Sequence, residues 1–95
     1  MFTDAITPVI SCPPGITANL PKGRKSMIVS DKWKNAYTNV GTVKTSHNEN
    51  FEFPVGVTVV TFTATTKDGQ TDSCSIRVTV IGMQYFKLLF FLLIN

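Results

Sequence analysis

Polar and apolar positions alternate most strictly near the end of the chain. Over residues 73–80, Cys74, Ile76, Val78 and Val80 fall on one side of an extended backbone, and Ser73, Ser75, Arg77 and Thr79 on the other. Residues 57–65 are almost all β-branched or aromatic, which favours a pleated strand over a helix, and Val60, Phe62 and Ala64 supply the matching apolar set. Between the two runs lies Lys67-Asp68-Gly69-Gln70, whose Asp-Gly pair signals a tight hairpin loop. The pattern predicts a β-hairpin with one buried and one wetted face. Upstream, Phe53-Pro54-Val55-Gly56 has Pro and Gly where a type I turn wants them, so a chain reversal is expected there. A hairpin alone is marginal, and more sheet must cover its apolar side.

The earlier part of the chain is less regular. Residues 7–12 predict a first strand with Ile10 and Cys12 inward. Pro13-Pro14-Gly15 removes two ladder donors and breaks the pairing, a break that lets an edge strand change sheets before Ile16 re-enters the core. An apolar run, Met27-Ile28-Val29, follows a basic loop. Trp33, the single tryptophan, reads as core on a central strand, with a surface contact as the alternative. Residues 43–47 predict a short strand.

Ninety-five residues bound the chain to one small domain with a limited core. The net charge of +3 suits weak attraction to acidic surfaces and is too small to argue for nucleic acid. Cys12 and Cys74 are far apart and lack C-x-x-C spacing, so they read as a disulfide and not a metal site; two free buried thiols are the alternative. Lys22, Arg24 and Lys25 read either as a contact for acidic glycans or another partner, with Lys32 and Lys34 adding to it, or as a solvated turn. His47 is the only histidine and cannot build a multi-histidine metal site. Glu49 and Glu52 read as solvated charges, not as a hydrolytic carboxylate pair. Phosphate loop, nucleophile elbow, zinc-protease helix and Asn-x-Ser/Thr acceptor are all missing from the sequence. No catalytic residue, metal or cofactor is expected.

Five signatures in order carry a family resemblance. Ile10-Ser11-Cys12-Pro13-Pro14 with Ile16 comes first, and Phe53-Pro54-Val55-Gly56 follows. Then come Val60-x-Phe62-x-Ala64-Thr65, the Asp68-Gly69 pair, and Cys74-x-Ile76-x-Val78-x-Val80. Together they resemble the HYR domain, or hyalin repeat, over roughly residues 4–81. The resemblance implies an all-β, immunoglobulin-like or fibronectin-III-like β-sandwich of about seven strands. It also implies that Cys12 and Cys74 pair, tying the first and last strands in an oxidising compartment. The chain departs from the family at Thr38-Asn39, near a usual Asp-Asn pair, at Thr66, where an Asp usually precedes the turn, and after Trp33, where a Pro is common.

Three segments follow from this reading: residues 1–3 as a fragment start or linker, 4–82 as the domain, and 83–95 as an apolar tail. Leu88 to Ile94 is uncharged, but as a helix it reaches only about 10 Å against a hydrocarbon core of about 30 Å. The tail reads as the start of a membrane helix, a non-native extension, or an added strand. The first residues lack a secretory pattern, so an extracellular or cell-surface location requires a signal outside this segment. The expected function is that of a non-enzymatic extracellular module for cell adhesion or protein–protein interaction within a larger multidomain protein. Its expected partners are neighbouring HYR or sushi-type modules and acidic glycans, not nucleic acid. The alternative is the membrane-proximal domain of a membrane-anchored receptor, associating with the membrane through the tail.

Overall fold

The alternating runs do become the longest pairing in the protein. A computed structural model describes residues 7–82 and contains eight strands there. They are β1 (Ile10–Ser11), β2 (Ile16–Asn19), β3 (Ser26–Ile28), β4 (Tyr37–Thr38), β5 (Thr42–Thr45), β6 (Glu52–Pro54), β7 (Gly56–Thr65) and β8 (Thr71–Ile81). A short 3-10 turn, Asp31–Lys34, separates β3 from β4. β7 and β8 pair antiparallel, with Val60 opposite Ile76 and Phe62 opposite Cys74. Val60, Phe62, Ala64, Ile76, Val78 and Val80 are all buried, so the predicted inward stripe is the observed one.

This hairpin sits in the middle of a four-stranded sheet ordered β2-β8-β7-β5. β3 pairs with β6, and β1 with β4, in two smaller sheets. One apolar cluster joins the layers: Phe53 from β6, Ile10 from β1 and Trp33 from the 3-10 turn pack with the β7–β8 stripe. The architecture is an immunoglobulin-like β-sandwich. Burying both inner faces in one core is what makes each marginal pairing stable.

Pro13-Pro14-Gly15 acts as expected. β1 lies beside β4, whereas β2 joins the large sheet parallel to β8, with Ile16 opposite Val78, so the first strand is split between two sheets. That split gives eight strands where about seven were expected.

Three expectations need correction. The first strand covers two residues, not six, because side chains take over its ladder: the Val9 N–H donates to Asn39 Oδ1 (2.7 Å) and the Ile10 N–H to Asp72 Oδ2 (3.0 Å). Phe53-Pro54-Val55-Gly56 is not a reversal between paired strands. Phe53 pairs with Met27 in one sheet while Gly56 already pairs with Val80 in another, so the segment is a corner that passes the chain between layers. Trp33 is core but not on a strand. It sits in the 3-10 turn, whose start is held by the Lys32 N–H donating to the Ser30 hydroxyl (3.4 Å). The expectations for residues 1–3 and for the tail 83–95, including its reading as an anchor, lie outside the described residues. Among the described residues, no helix is long and apolar enough to cross a membrane.

The bend before β5 depends on Gly41. Its φ of 84° lies in the left-handed region, and an added Cβ would press into the Thr65 carbonyl and come within 3.3 Å of the Thr66 Cα. Gly23 has the same φ of 84° but open space around it. Gly41→Ala is therefore expected to cost about 2–3 kcal/mol and Gly23→Ala about 1 kcal/mol. Paired denaturant titrations check this, and equal losses would mean that the Thr65 contact is unimportant.

Candidate functional site

Strand β8 holds residues 10–20 at three levels. Near its beginning the Asp72 carboxylate accepts from Ile10; next, Cys74 is bonded to Cys12 across a sequence separation of 62; last, β2 lies against Val78–Ile81, continued by the Leu20 N–H donating to the Ile81 carbonyl (2.9 Å). The Cα atoms of the two cysteines are 6.0 Å apart, within the span of an ordinary disulfide. Among the described residues no cysteine is free. A bridge of this kind persists in oxidising compartments, in keeping with an extracellular location.

Side chains also fix the two ends of the sandwich. Asn39 accepts from the backbone N–H of Val9 and of Val40 and donates to the Thr7 carbonyl (3.3 Å), fastening the first strand to the chain after β4. At the hairpin loop the Gly69 N–H donates to the Thr66 carbonyl (3.1 Å), and Gly69 takes a positive φ of 88°, the three-residue form with a bulge. The Thr66 hydroxyl accepts from the Gln70 N–H (3.1 Å) and donates to Asp68 Oδ1, while the Gln70 amide donates to Asp68 Oδ2 (2.9 Å). The Thr66 hydroxyl, followed by the Gln70 amide, holds the Asp68 carboxyl below the usual aspartate range. Thr66 thus organises the turn at the position where an Asp was expected. Asp72 is not singled out by the sequence, and Asn39 only as part of a departure from the family pattern, without this role. The available signal was a short polar side chain placed where strand propensity is poor.

The basic loop lies between β2 and β3. The Arg24 N–H donates to the Pro21 carbonyl (3.2 Å), closing a turn. Arg24 reaches across to Glu52 on β6, with Nη2 3.5 Å from Oε1, and the Ser26 hydroxyl donates to the same oxygen (3.0 Å). Lys22 and Lys25 are exposed, and no described carboxylate pairs with either. Pairing of Ser26 with Pro54 sets this loop at the end of the sandwich where β6 turns into β7 and β8 ends. Lys32 and Lys34 lie beyond the other end of β3, and Lys34 is paired with Glu49 at 3.6 Å. The two carboxylates, Glu49 and Glu52, are engaged by separate cations, Lys34 and Arg24.

His47 is half-buried, with Nδ1 2.7 Å from the Ser46 hydroxyl and its ring edge-on to Phe51 at 4.5 Å. Among the described residues, no three His, Cys, Asp or Glu side chains cluster to hold a metal. A shallow groove on the large sheet is lined by Pro13, Gly15, Val59, Ser75, Ile76 and Arg77 and brings together no acid, base and nucleophile.

No curated protein is similar enough to the chain to count as a match. The family model for the HYR domain does match, over residues 3–80, which takes in all eight strands except Ile81, the last residue of β8. With that match spanning both cysteines and both hairpin strands, the chain belongs to the HYR domain family, a non-catalytic module of extracellular adhesion-type proteins.

Proposed function

We propose that this chain is a non-enzymatic module for adhesion or protein–protein interaction in a larger extracellular protein, and that it meets an acidic partner through Lys22, Arg24 and Lys25. One observation carries the reading: the loop is tethered by Arg24 to Glu52, while Lys22 and Lys25 project into solvent with no described counter-charge. A held loop gives up little further freedom on binding, so its charges are worth more to a partner than those of a loose one. Sulfated or carboxylated glycan chains fit such a patch by charge, and acidic faces of neighbouring HYR or sushi-type modules fit it too.

Heparin serves as the probe. Reversing both free lysines, Lys22→Glu with Lys25→Glu, is expected to weaken binding about tenfold and to lower the salt needed for elution. Lys32→Glu, at the far end of β3, is expected to change elution little. Unchanged elution of the double variant would remove this loop as the contact.

A further inference from the structure

Strand β5 covers only part of β7. It pairs with residues 62–65, and the ladder ends one step later: the Ser46 N–H donates to the Thr61 carbonyl (2.9 Å), and the Thr61 N–H donates to the Ser46 hydroxyl (3.0 Å). Past Ser46 the chain folds back on itself, with the Phe51 N–H donating to the Asn48 carbonyl (3.1 Å). Residues 56–60 of β7 therefore have β8 on one side and no described strand on the other.

Strand geometry says which groups are open there. Both backbone groups of one residue point to the same edge, and alternate residues share it. Thr61 directs its N–H and C=O toward β5, so Val59 and Val57 direct theirs to the same, uncovered side, while Thr58 and Val60 bond to β8. The side chains of Val57 and Val59 are also 59% and 52% exposed, and residues 56–60 carry no charge. An uncharged edge without Pro is a template for strand pairing.

We propose that this window pairs with the same window of a second copy of the chain. Its limits argue for that occupant. At one end the corner at Val55 takes the chain into the other sheet; at the other, Ser46 closes the ladder at Thr61. An antiparallel copy centred on Thr58 sets Val57 against Val59 of the second copy and Gly56 against its Val60. Each chain then leaves the shared edge at the point where the β5 ladder of the other begins. That register makes four backbone hydrogen bonds and merges the Val57 and Val59 side chains of both copies into one apolar strip. Arg77, opposite Val59 in β8, stays three strand spacings across and two residues along from its equivalent, about 16 Å, beyond the Debye length of about 8 Å at physiological salt. A contact this short falls well below the roughly 1,000 Å² of a stable interface, so the pairing is weak, with a Kd on the order of 1 mM. It acts where copies are crowded.

Amide hydrogen exchange and sedimentation of the full chain at about 10 µM and about 1 mM test it. At the higher concentration the mean mass is expected to rise by about half, and the Val57 and Val59 amides to exchange about twofold more slowly, with Thr58 and Val60 protected at both concentrations. Val59→Pro removes an edge-facing N–H without touching the β7–β8 ladder, and Val57→Lys with Val59→Lys sets like charges across the join. Both are expected to sediment as monomers at about 1 mM while keeping β8 amide protection, which reports folding. A mass unchanged at the higher concentration would overturn the proposal. So would self-association that survives both variants. Protection of Val57 and Val59 at every concentration would give the window to the chain's own residues beyond Gly82, and would overturn it as well.

Discussion

Trp33→Ala is expected to remove about 3–5 kcal/mol of stability, a large part of what a domain of this size has, which is on the order of 5–14 kcal/mol. The side chain is 1% exposed. Its ring lies edge-on to Phe53 at 5.3 Å and tilted to Phe62 at 6.5 Å, so one residue touches the inner faces of two sheets. Removing it leaves a cavity between the layers, and neither β6 nor β7 can move in without breaking its own ladder. Trp33→Phe keeps the edge-on contact and much of the volume and is expected to cost about 1–2 kcal/mol. Urea titrations followed by far-ultraviolet circular dichroism measure both, since the variants lose the only indole fluorophore. A loss below about 1 kcal/mol for Trp33→Ala would mean that the layers are joined elsewhere.

The contrast between Trp33 and the β7–β8 stripe shows what could be read before the fold was known. Cys74, Ile76, Val78 and Val80 are legible because a period of two has one structural meaning when β-branched residues fill it, and the hairpin loop brings the partner strand into register. Trp33 gives no period: its backbone environment, a 3-10 turn capped by Ser30, is set by what surrounds it. The corner at Val55 was misread for a related reason. Pro54 and Gly56 mark a change of direction, but whether the chain returns to the same sheet or leaves for another depends on β3, which is distant in sequence. The basic loop was visible as charge, whereas the tether from Arg24 to Glu52, and the resulting separation from Lys32 and Lys34, required the β3–β6 pairing. The open window on β7 was hidden altogether, since its cause is the early end of β5 at Ser46.

Opening the Cys12–Cys74 bridge, by reduction or by Cys12→Ser with Cys74→Ser, is expected to cost about 4 kcal/mol, the chain-entropy value for a loop of about 60 residues. For a domain of this size that corresponds to a fall of roughly 15–30 °C in Tm. The bridge encloses nearly the whole sandwich, so the unfolded chain gains its freedom across β2 to β7 together. The damage within the folded state is local. β1 has two residues, and it is held to β8 by Ile10 packing in the shared core, by the Asp72 carboxylate accepting from Ile10 and by the bridge at Cys12 just beyond it. Without the bridge, the Asp72 hydrogen bond is the one remaining polar tie to β8, and Ile10 packing, the short β1–β4 ladder and Asn39 must retain the strand. The Ile10 amide is therefore expected to lose protection in native-state hydrogen exchange well before amides of β7 and β8 do. Asp72→Asn should then be more damaging in the reduced protein than in the oxidised one, because each tie limits the motion that the other's loss allows. If the two losses simply add, and Tm falls by less than about 5 °C on reduction, the bridge is a bystander to a first strand held by its own packing. A large drop with early loss of Ile10 protection would make β8 the strand on which both ends of the module depend.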